Sequence, residues 1–213
     1  MTLSTYIMSS QERLERKYIS LCNTYSDIFQ HLPTLYQYAQ KCESVIELGV
    51  RGVVSTYAFT LGLMHNNSYK KKLLVNDVEP CPIEELQSIM NDLPIDFQYQ
   101  WISDLDMVVE ENYDMTFIDT LHVYGQLKRE LEKYSKITNK YIIMHDTEVD
   151  GIHGEAIRCG WNAEELSKKV GIPVDEITKG LLPALDEFLV SNKEWVLEKM
   201  YTNNNGLTIL RRI

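Results

Sequence analysis

The chain contains 213 residues, 44% of them hydrophobic and 24% charged, and carries a formal net charge of −10. Such a composition is typical of one soluble globular domain, which we expect to be cytoplasmic. The acidic balance argues against nucleic acid and anionic membranes as partners, because binding to phosphate groups needs a basic surface. The sequence has no apolar stretch long enough to span a membrane and no signal-peptide pattern, and its four widely separated cysteines indicate reduced thiols.

Hydrophobic periodicity predicts helices and short strands in alternation. Apolar residues at three- and four-residue steps predict a helix over residues 11–41, with a restart at Pro33. Further helices are predicted over residues 55–63, from about residue 83, over 124–137 and over 181–189, with a short amphipathic segment at 105–111. Strands are predicted at residues 45–48, 73–77, 97–102, 115–119, 141–146, 195–201 and 207–211.

The order of these elements determines the expected fold class. Five strands that alternate with helices predict a mostly parallel sheet that is covered on both faces. Residues 203–206 join the last two strands, and Asn205–Gly206 favours the positive φ angles of a hairpin turn. We therefore expect an α/β fold with a doubly wound, mostly parallel, seven-stranded sheet of Rossmann-like type and a C-terminal antiparallel hairpin. Residues 147–180 contain five glycines and show no regular pattern.

The segment Val45–Thr56 joins the first parallel strand to the following helix. Glu47 supplies an anionic acceptor at the strand end, and Gly49 and Gly52 permit a tight turn that comes close to a ligand. A dinucleotide-binding fold requires G-x-G-x-x-G against a pyrophosphate, whereas this segment has G-x-x-G after an acid. The acid suits a cationic or neutral cofactor better than a phosphate, although an ordinary strand-to-helix turn has the same pattern.

Acidic residues follow most of the predicted parallel strands, at the edge where doubly wound sheets bind ligands. A diol-bearing cofactor and a divalent cation would compensate the repulsion between these acids. Asp77 is placed to accept hydrogen bonds from both ribose hydroxyls, although it also suits a turn before Pro80, and Glu79 is a neighbouring alternative. The strand-end residues are Glu47, Asp77, Ser103, Asp104, Asp119, His145 and Asp146.

The most specific pattern lies at the ends of the fourth and fifth strands. Asp119 and Asp146 end adjacent strands, so we expect their carboxylates to converge on an oxygen-preferring cation such as Mg²⁺. His122 lies three residues after Asp119, over the same pocket, where an imidazole with a pKa near 6.5 can take a proton from a hydroxyl. His145 either completes the metal site or is a buried residue at the strand end.

Two motifs resemble those of known methyltransferases. The segment from Glu47 to Ser55 resembles the first motif of class I S-adenosylmethionine-dependent methyltransferases, E/D-x-G-x-x-x-G-x-S, except that Val53 stands where the pattern has glycine. F-I-D-x-x-H-x-Y at residues 117–124, followed by His145–Asp146, resembles the metal-dependent O-methyltransferases of the cephalosporin hydroxylase-like and macrolide sugar O-methyltransferase group. In that group an acidic residue is common at the position of His145.

Together with the strand-end argument, the resemblance implies S-adenosylmethionine as cofactor and Mg²⁺ or Mn²⁺ as metal. Catalysis is assigned to His122 and Asp119. Ser103–Asp104 falls where these enzymes contact the adenine, although the pair also suits a helix N-cap. The predicted cofactor-binding residues are Glu47, Gly49, Gly52, Ser55, Asp77, Ser103, Asp104 and Asp119. The predicted metal ligands are Asp119, His145 and Asp146.

The predicted reaction is methylation of a sugar hydroxyl, on a glycan or a glycosylated metabolite. Residues 1–43 would form an N-terminal helical segment, 44–147 the cofactor and metal half, and 148–213 the acceptor side of one methyltransferase domain. The alternatives are O-methylation of a catechol or another phenolic small molecule, and a methyltransferase-like binding module without turnover, which Val53 favours. A nucleotide-dependent oxidoreductase is disfavoured by the glycine spacing. The expected partner is a small hydroxylated acceptor, and the sequence leaves homo-oligomer formation open.

Overall fold

The computed structural model describes residues 8–213, which form a seven-stranded sheet with helices on both faces. The strands are β1 (Ser44–Leu48), β2 (Lys72–Asp77), β3 (Asp96–Trp101), β4 (Tyr113–Ile118), β5 (Thr138–His145), β6 (Trp195–Tyr201) and β7 (Leu207–Arg212). The helices are α1 (Ser10–Cys22), α2 (Leu32–Ala39), α3 (Ser55–Met64), α4 (Glu84–Met90), α5 (Tyr124–Tyr134), α6 (Glu155–Arg158), α7 (Ala163–Val170), α8 (Val174–Ile177) and α9 (Leu181–Ser191), with a 3₁₀ turn at Phe29–His31 before α2. None of the helices in residues 8–213 is long and apolar enough to cross a membrane.

The strand order is β3-β2-β1-β4-β5-β7-β6, and the strands from β1 to β5 are parallel. β7 is antiparallel to both β5 and β6. This arrangement confirms the predicted fold class, a doubly wound and mostly parallel sheet with a C-terminal antiparallel hairpin. Because the strand order reverses between β1 and β4, their carboxyl ends form the switch point at which doubly wound sheets bind ligands.

Side chains of the central strands alternate between two apolar layers on opposite faces of the sheet. In β1, Val45 packs into the layer formed with α1 to α4, whereas Ile46 packs into the layer formed with α5 and α9. α3 is buried on almost all sides, because α1 and α2 cover the side that faces away from the sheet. Gly62 permits this packing, since a Cβ atom there would lie 2.6 Å from the Cβ atom of Ala39. The burial of α3 holds the turn that precedes it in place.

The prediction of a helical segment over residues 11–41, with a restart at Pro33, is confirmed except for an interruption before the restart. α1 is followed by irregular residues 23–28, after which the chain forms the 3₁₀ turn and α2. Asn23 ends α1, because its side chain donates to the carbonyl oxygen of Ile19 at 2.7 Å and so competes with continued helical hydrogen bonding. Residues 1–7 of the predicted N-terminal segment lie outside the described residues.

The start of α2, two irregular segments and the hairpin turn can also be compared with the predictions. Pro33 lies in the first turn of α2, where the helix was expected to restart. Residues 105–111, predicted as a short amphipathic segment, form a turn and irregular chain, while residues 147–180 contain the short helices α6, α7 and α8. The turn at residues 203–206 has φ angles from 46° to 95° at its last three residues, as predicted for the hairpin.

Candidate functional site

The glycine turn, residues 49–54, connects β1 with α3. Gly49 has a φ of 84°, and a Cβ atom at this position would lie 1.8 Å from the backbone oxygen of Asp119. Glycine is therefore required by the close approach of the two strand ends, whereas the sequence suggested an approach to a ligand. At Gly52 a Cβ atom would meet only Val54 Cγ2, at 3.8 Å, so the fold itself does not require glycine there.

Two non-glycine residues of this turn have left-handed backbone conformations. Arg51 has a φ of 42° and Val53 a φ of 58°. The Val53 side chain is buried in the apolar layer beneath α3. A β-branched residue at positive φ is rare, and the conformation costs about 1–2 kcal/mol. Val53 therefore introduces strain at the position where the class I motif has a glycine, which adopts this φ freely.

Glu47 is fully buried at the end of β1 and accepts a hydrogen bond from the hydroxyl of Ser55 at the start of α3. Its second oxygen, Oε2, has no hydrogen-bond partner among the described residues. Burial raises the pKa of Glu47 to about 8, although the hydrogen bond from Ser55 opposes this effect. Glu47 is therefore mostly neutral at pH 7, whereas the sequence suggested an anionic acceptor.

The carboxylate of Asp77, at the end of β2, is bound to the glycine turn. Its Oδ2 accepts hydrogen bonds from the backbone N–H groups of Val50 and Arg51, both at 2.9 Å. Its Oδ1 accepts one from the backbone N–H of Glu79, also at 2.9 Å. A carboxylate has about four acceptor positions, so three are used within the protein. The partly exposed side chain keeps one position for the predicted ribose contact.

Ser103 and Asp104 begin a turn after β3, and because no helix follows, the alternative prediction of a helix N-cap is wrong. Ser103 is partly exposed. Asp104 is buried and faces α5, where its Oδ1 accepts a hydrogen bond from Gln126 Nε2 at 3.0 Å. Burial raises the pKa of Asp104 and also that of the adjacent Glu130. The predicted pair is thus divided between a partly exposed hydroxyl and a buried carboxyl group.

Exposed apolar side chains lie at the same edge of the sheet. Val78 and Ile102 expose 67% and 41% of their surface. The indole N–H of Trp101 donates to the carbonyl oxygen of Val78 at 2.9 Å and so links the ends of β2 and β3. Such side chains are suited to contact a planar aromatic group. Sequence reasoning did not identify them, although Val78 adjoins Asp77 and Ile102 adjoins Ser103.

Asp119, His145 and Asp146 meet at the ends of β4 and β5. Each offers one potential ligand atom for a metal ion, and these atoms all lie within 4.8 Å of one another. His145 Nδ1 lies 3.3 Å from Asp119 Oδ1 and 3.6 Å from Asp146 Oδ1. Asp146 is buried, and its Oδ1 has no hydrogen-bond partner among the described residues. Burial alone would raise the pKa of Asp119, but His145 and His122 lower it well below its usual range.

His122 lies between this cluster and a second group of carboxylates. Its Nε2 is 3.1 Å from Asp119 Oδ1. Its Nδ1 is 3.1 Å from Asp146 Oδ2 and 3.4 Å from both Asp150 Oδ2 and Glu155 Oε2. Burial lowers the pKa of His122, but the carboxylates of Asp119 and Asp150 have the larger effect and raise the pKa well above 6.5. The sequence-based argument used the reference value near 6.5, without the four carboxylates that surround this imidazole.

Asp150, Glu155 and Arg158 belong to this site and were not predicted from the sequence. Asp150 is completely buried and accepts hydrogen bonds from Arg158 Nε at 2.6 Å and Nη2 at 2.8 Å. Burial would raise the pKa of Asp150, but Arg158 and His122 lower it. The backbone N–H of Glu155 donates to the carbonyl oxygen of His122 at 2.8 Å. The available signal was the four-residue spacing between Asp146 and Asp150, within a glycine-rich stretch that showed no periodicity.

Neither protein-family models nor curated proteins match this sequence. The fold nevertheless resembles that of solved structures. The methyltransferase PaMTH1 of Podospora anserina, bound to S-adenosylhomocysteine, has a TM-score of 0.59 at 14% identity, over 97% of this chain and 89% of that chain. The O-methyltransferase TomG of Streptomyces achromogenes, which is involved in tomaymycin synthesis and was solved with S-adenosylmethionine, has a TM-score of 0.59 at 12% identity, over 99% and 92%.

A third similar structure is a putative caffeoyl-CoA O-methyltransferase of Staphylococcus aureus. Its TM-score is 0.56 at 15% identity, and the match covers 97% of this chain and 93% of that chain. All three similarities extend over nearly the whole of both chains. At such low identities they establish a fold shared with these three proteins and nothing beyond the fold.

Proposed function

We propose that this protein is an S-adenosylmethionine- and Mg²⁺-dependent O-methyltransferase that acts on a sugar hydroxyl, with one catalytic domain. The observation that carries the proposal is the meeting of Asp119, His122, His145 and Asp146 beside the switch point of a methyltransferase-type sheet. The same edge contains a glycine turn and a strand-end acid, where open α/β sheets bind nucleotide-like cofactors. Two of the similar structures contain S-adenosylmethionine or S-adenosylhomocysteine.

The chemistry of three side chains fits a divalent cation. Asp119 and Asp146 offer carboxylate oxygens, which Mg²⁺ prefers, and His145 offers an imidazole nitrogen, which Mn²⁺ also accepts. The buried Oδ1 of Asp146 has no hydrogen-bond donor among the described residues, and a cation would satisfy it. When bound, the metal would act as a Lewis acid that lowers the pKa of an acceptor hydroxyl.

The cofactor would lie along the glycine turn and supply a methyl group on a positively charged sulfur. Asp77 would accept a hydrogen bond from the ribose with its remaining acceptor position. Val78 and Ile102 would pack against the adenine, beside Ser103. Asp104 faces α5 and would support the turn that presents Ser103, without contacting the cofactor itself.

His122 would be the general base once a bound divalent cation offsets the carboxylates that raise the pKa of the imidazole. Nδ1 faces the carboxylates of Asp146, Asp150 and Glu155, and Nε2 faces that of Asp119. With Asp119 engaged by the cation, Nε2 would be free to take the proton of the acceptor hydroxyl. S-adenosylmethionine, when bound, would supply the methyl group for the deprotonated acceptor oxygen and would leave as S-adenosylhomocysteine. Arg158 holds Asp150, and so maintains the position of the imidazole.

The choice of a sugar acceptor rests on the resemblance of residues 117–124 and of His145–Asp146 to the macrolide sugar O-methyltransferase group. A catechol or another phenol is the second candidate. The similarity to the putative caffeoyl-CoA O-methyltransferase favours it. Both acceptors have a hydroxyl whose proton must be removed before transfer, so the same His122 and metal would serve either.

Calorimetry with S-adenosylmethionine, with and without Mg²⁺, tests the cofactor part of this proposal. We expect binding in both conditions, because the glycine turn and Asp77 are separate from the metal ligands. NAD is the control ligand, and binding of NAD without S-adenosylmethionine would contradict the proposal. Formation of S-adenosylhomocysteine, measured over a panel of glycans and catechols, then distinguishes the two acceptor classes. Cofactor binding without turnover on any acceptor would support the binding-module alternative.

Removal of divalent cations with a chelator tests the proposed metal dependence of methyl transfer. EDTA should abolish methyl transfer and leave cofactor binding largely intact, and Mg²⁺ or Mn²⁺ should restore transfer. Asp146→Asn should greatly weaken the response to metal, because it removes the charge from a carboxylate that has no donor within the protein. Asp96→Asn is the matched control. Asp96 is exposed and lies at the N-terminal end of β3, away from the carboxyl ends of the strands that form the site. Full activity in EDTA would contradict the metal dependence.

A further inference from the structure

The turn at residues 203–206, here called the C-terminal turn, reaches the candidate metal cluster from the far end of the sequence. The Nε2 atom of His145 lies 3.2 Å from the backbone carbonyl oxygen of Asn204. The backbone of Asn204 is left-handed, with a φ of 46°, and the next two residues also have positive φ. This conformation directs the Asn204 carbonyl group at the imidazole.

Carbonyl and carboxylate oxygens only accept hydrogen bonds, so without a metal ion each ring nitrogen of His145 has an acceptor beside it. With Asp119 bound to a cation, the carbonyl oxygen of Asn204 would be the remaining acceptor. It would keep the hydrogen on Nε2 and leave the lone pair of the neutral imidazole on Nδ1. Nδ1 faces Asp119 Oδ1 at 3.3 Å and Asp146 Oδ1 at 3.6 Å, the two carboxylates of the candidate metal cluster. Histidines that bind metals usually donate their other N–H to a carbonyl or carboxylate in this way, which determines the tautomer and the ring orientation.

The side chain of Asn204 holds the C-terminal turn against the N-terminal part of the chain. Its Nδ2 donates to the carbonyl oxygen of Ser26 at 3.1 Å, and its Oδ1 accepts from the backbone N–H of Gln30 at 2.9 Å. The ring of the buried His31 packs edge-on against His145, with 5.8 Å between the ring centroids. The imidazole of His145 is therefore enclosed by two segments that are remote from it in sequence.

We propose that Asn204 is a positioning residue for the metal site, whose carbonyl group makes His145 bind the divalent ion through Nδ1. The Asn204 side chain keeps this carbonyl group in place through Ser26 and Gln30. This inference rests on the proposed metal dependence. It adds a role for the C-terminal hairpin, in which the sequence showed no motif.

Two substitutions of His145 test which nitrogen binds the metal. In asparagine the side-chain oxygen is bonded to Cγ, as Nδ1 is in histidine, whereas the oxygen of glutamine extends about as far as Nε2. We expect His145→Asn to bind Mn²⁺ within about tenfold of the wild type and His145→Gln to bind it roughly 10- to 100-fold more weakly. Mn²⁺ binding is measured by electron paramagnetic resonance, so the result does not depend on activity. Equal affinities, or tighter binding by His145→Gln, would overturn the inference.

A double-mutant cycle tests whether Asn204 acts through His145. Asn204→Gly keeps access to positive φ and removes both side-chain hydrogen bonds, and it should weaken Mn²⁺ binding by about 10- to 100-fold. In the His145→Asn background, which has no tautomer to select, the same change should have little further effect. Asn203→Ala is the matched control, because it removes a side-chain hydrogen bond from the same turn to Gln30 and has no contact with His145.

The possible outcomes separate this inference from the proposed function. If the wild type binds no Mn²⁺, the proposed metal dependence fails, and the inference fails with it. If the wild type binds Mn²⁺ but Asn204→Gly has the same effect in both backgrounds, only the role of Asn204 fails. Asn204→Gly should lower the thermal stability modestly, because it removes two hydrogen bonds to the N-terminal part of the chain, so Mn²⁺ binding is compared at a temperature at which every variant is folded.

Discussion

The proposed cofactor side of the site and its proposed catalytic cluster share one edge of the sheet but differ in how their charges and hydrogen bonds are arranged. The cofactor side comprises the glycine turn, Glu47 and Asp77, and the catalytic cluster comprises Asp119, His122, His145 and Asp146. On the cofactor side, burial keeps Glu47 neutral and three backbone N–H groups bind Asp77. In the catalytic cluster the charges are concentrated, because the carboxylates of Asp119 and Asp146 lie within 3.6 Å of the imidazoles of His122 and His145.

This difference shows in which part of the edge ionised side chains are held close together. Residues whose hydrogen bonds are satisfied within the protein position the backbone, as Asp77 does for the glycine turn. Residues held close together despite like charge need a counter-ion or a reaction to explain their proximity. We therefore expect substitutions in the catalytic cluster to reduce turnover, and substitutions on the cofactor side to change affinity and stability.

The largest expected effect is that of His122→Gln. Glutamine preserves size and polarity but cannot take a proton, and general-base catalysis typically contributes about 10²- to 10⁴-fold. The substitution should lower kcat by about that factor and leave the affinity for S-adenosylmethionine nearly unchanged. Single-turnover measurements of methyl transfer and calorimetry give the two quantities. Near-native turnover in His122→Gln would mean that the imidazole is structural, and the comparison between the two regions would fail.

Glu47→Gln should change the pH dependence of stability. The pKa of Glu47 is about 8 in the folded protein and near its usual value of about 4.5 in the unfolded chain, so the folded state retains a proton that the unfolded state has lost. This contribution is fully present below the unfolded pKa and is lost as pH rises to about 8. The loss amounts to a few kcal/mol, and Glu47→Gln should not show it. Urea unfolding of both proteins at pH 4.5 and at pH 8.5 measures the difference, and parallel pH profiles would contradict the assignment.

Asp77→Ala should weaken cofactor binding by about 1.5–3 kcal/mol, the usual contribution of charge-assisted hydrogen bonds. Two effects add, because the variant loses the ribose contact and also releases the backbone N–H groups of Val50 and Arg51. Asp77→Asn separates them, since its amide oxygen still accepts hydrogen bonds while the charge is absent. Calorimetry with S-adenosylmethionine measures each loss. Unchanged affinity in both variants would place the cofactor elsewhere.

The sequence predicted those parts of the site that depend on regular elements. Asp119 and Asp146 end adjacent parallel strands, and the apolar runs before them were sufficient to predict that they meet. His122 was predicted because it closely follows one of these strand ends. Asp150 and Arg158 were missed, because they lie in an irregular segment whose path depends on tertiary contacts. The carbonyl group of Asn204 was missed because a backbone atom has no sequence signature, and its approach to His145 depends on the pairing of β5 with β7.

The smallest expected effect concerns strain in the glycine turn, and it compares two valines that differ mainly in backbone conformation. Val50 and Val53 are 3% and 4% exposed, and of the two only Val53 has a positive φ, at 58°. Val50→Gly should cost about 1.5–3 kcal/mol for the lost burial and about 0.5–1 kcal/mol for the added freedom of the unfolded chain. Val53→Gly has the same costs but relieves about 1–2 kcal/mol of strain, so it should be less destabilising by that amount. Urea unfolding of the two variants measures the difference directly. If they lose equal stability, the surrounding helices accommodate the left-handed valine without strain. Its departure from the methyltransferase motif would then have no energetic consequence for the turn.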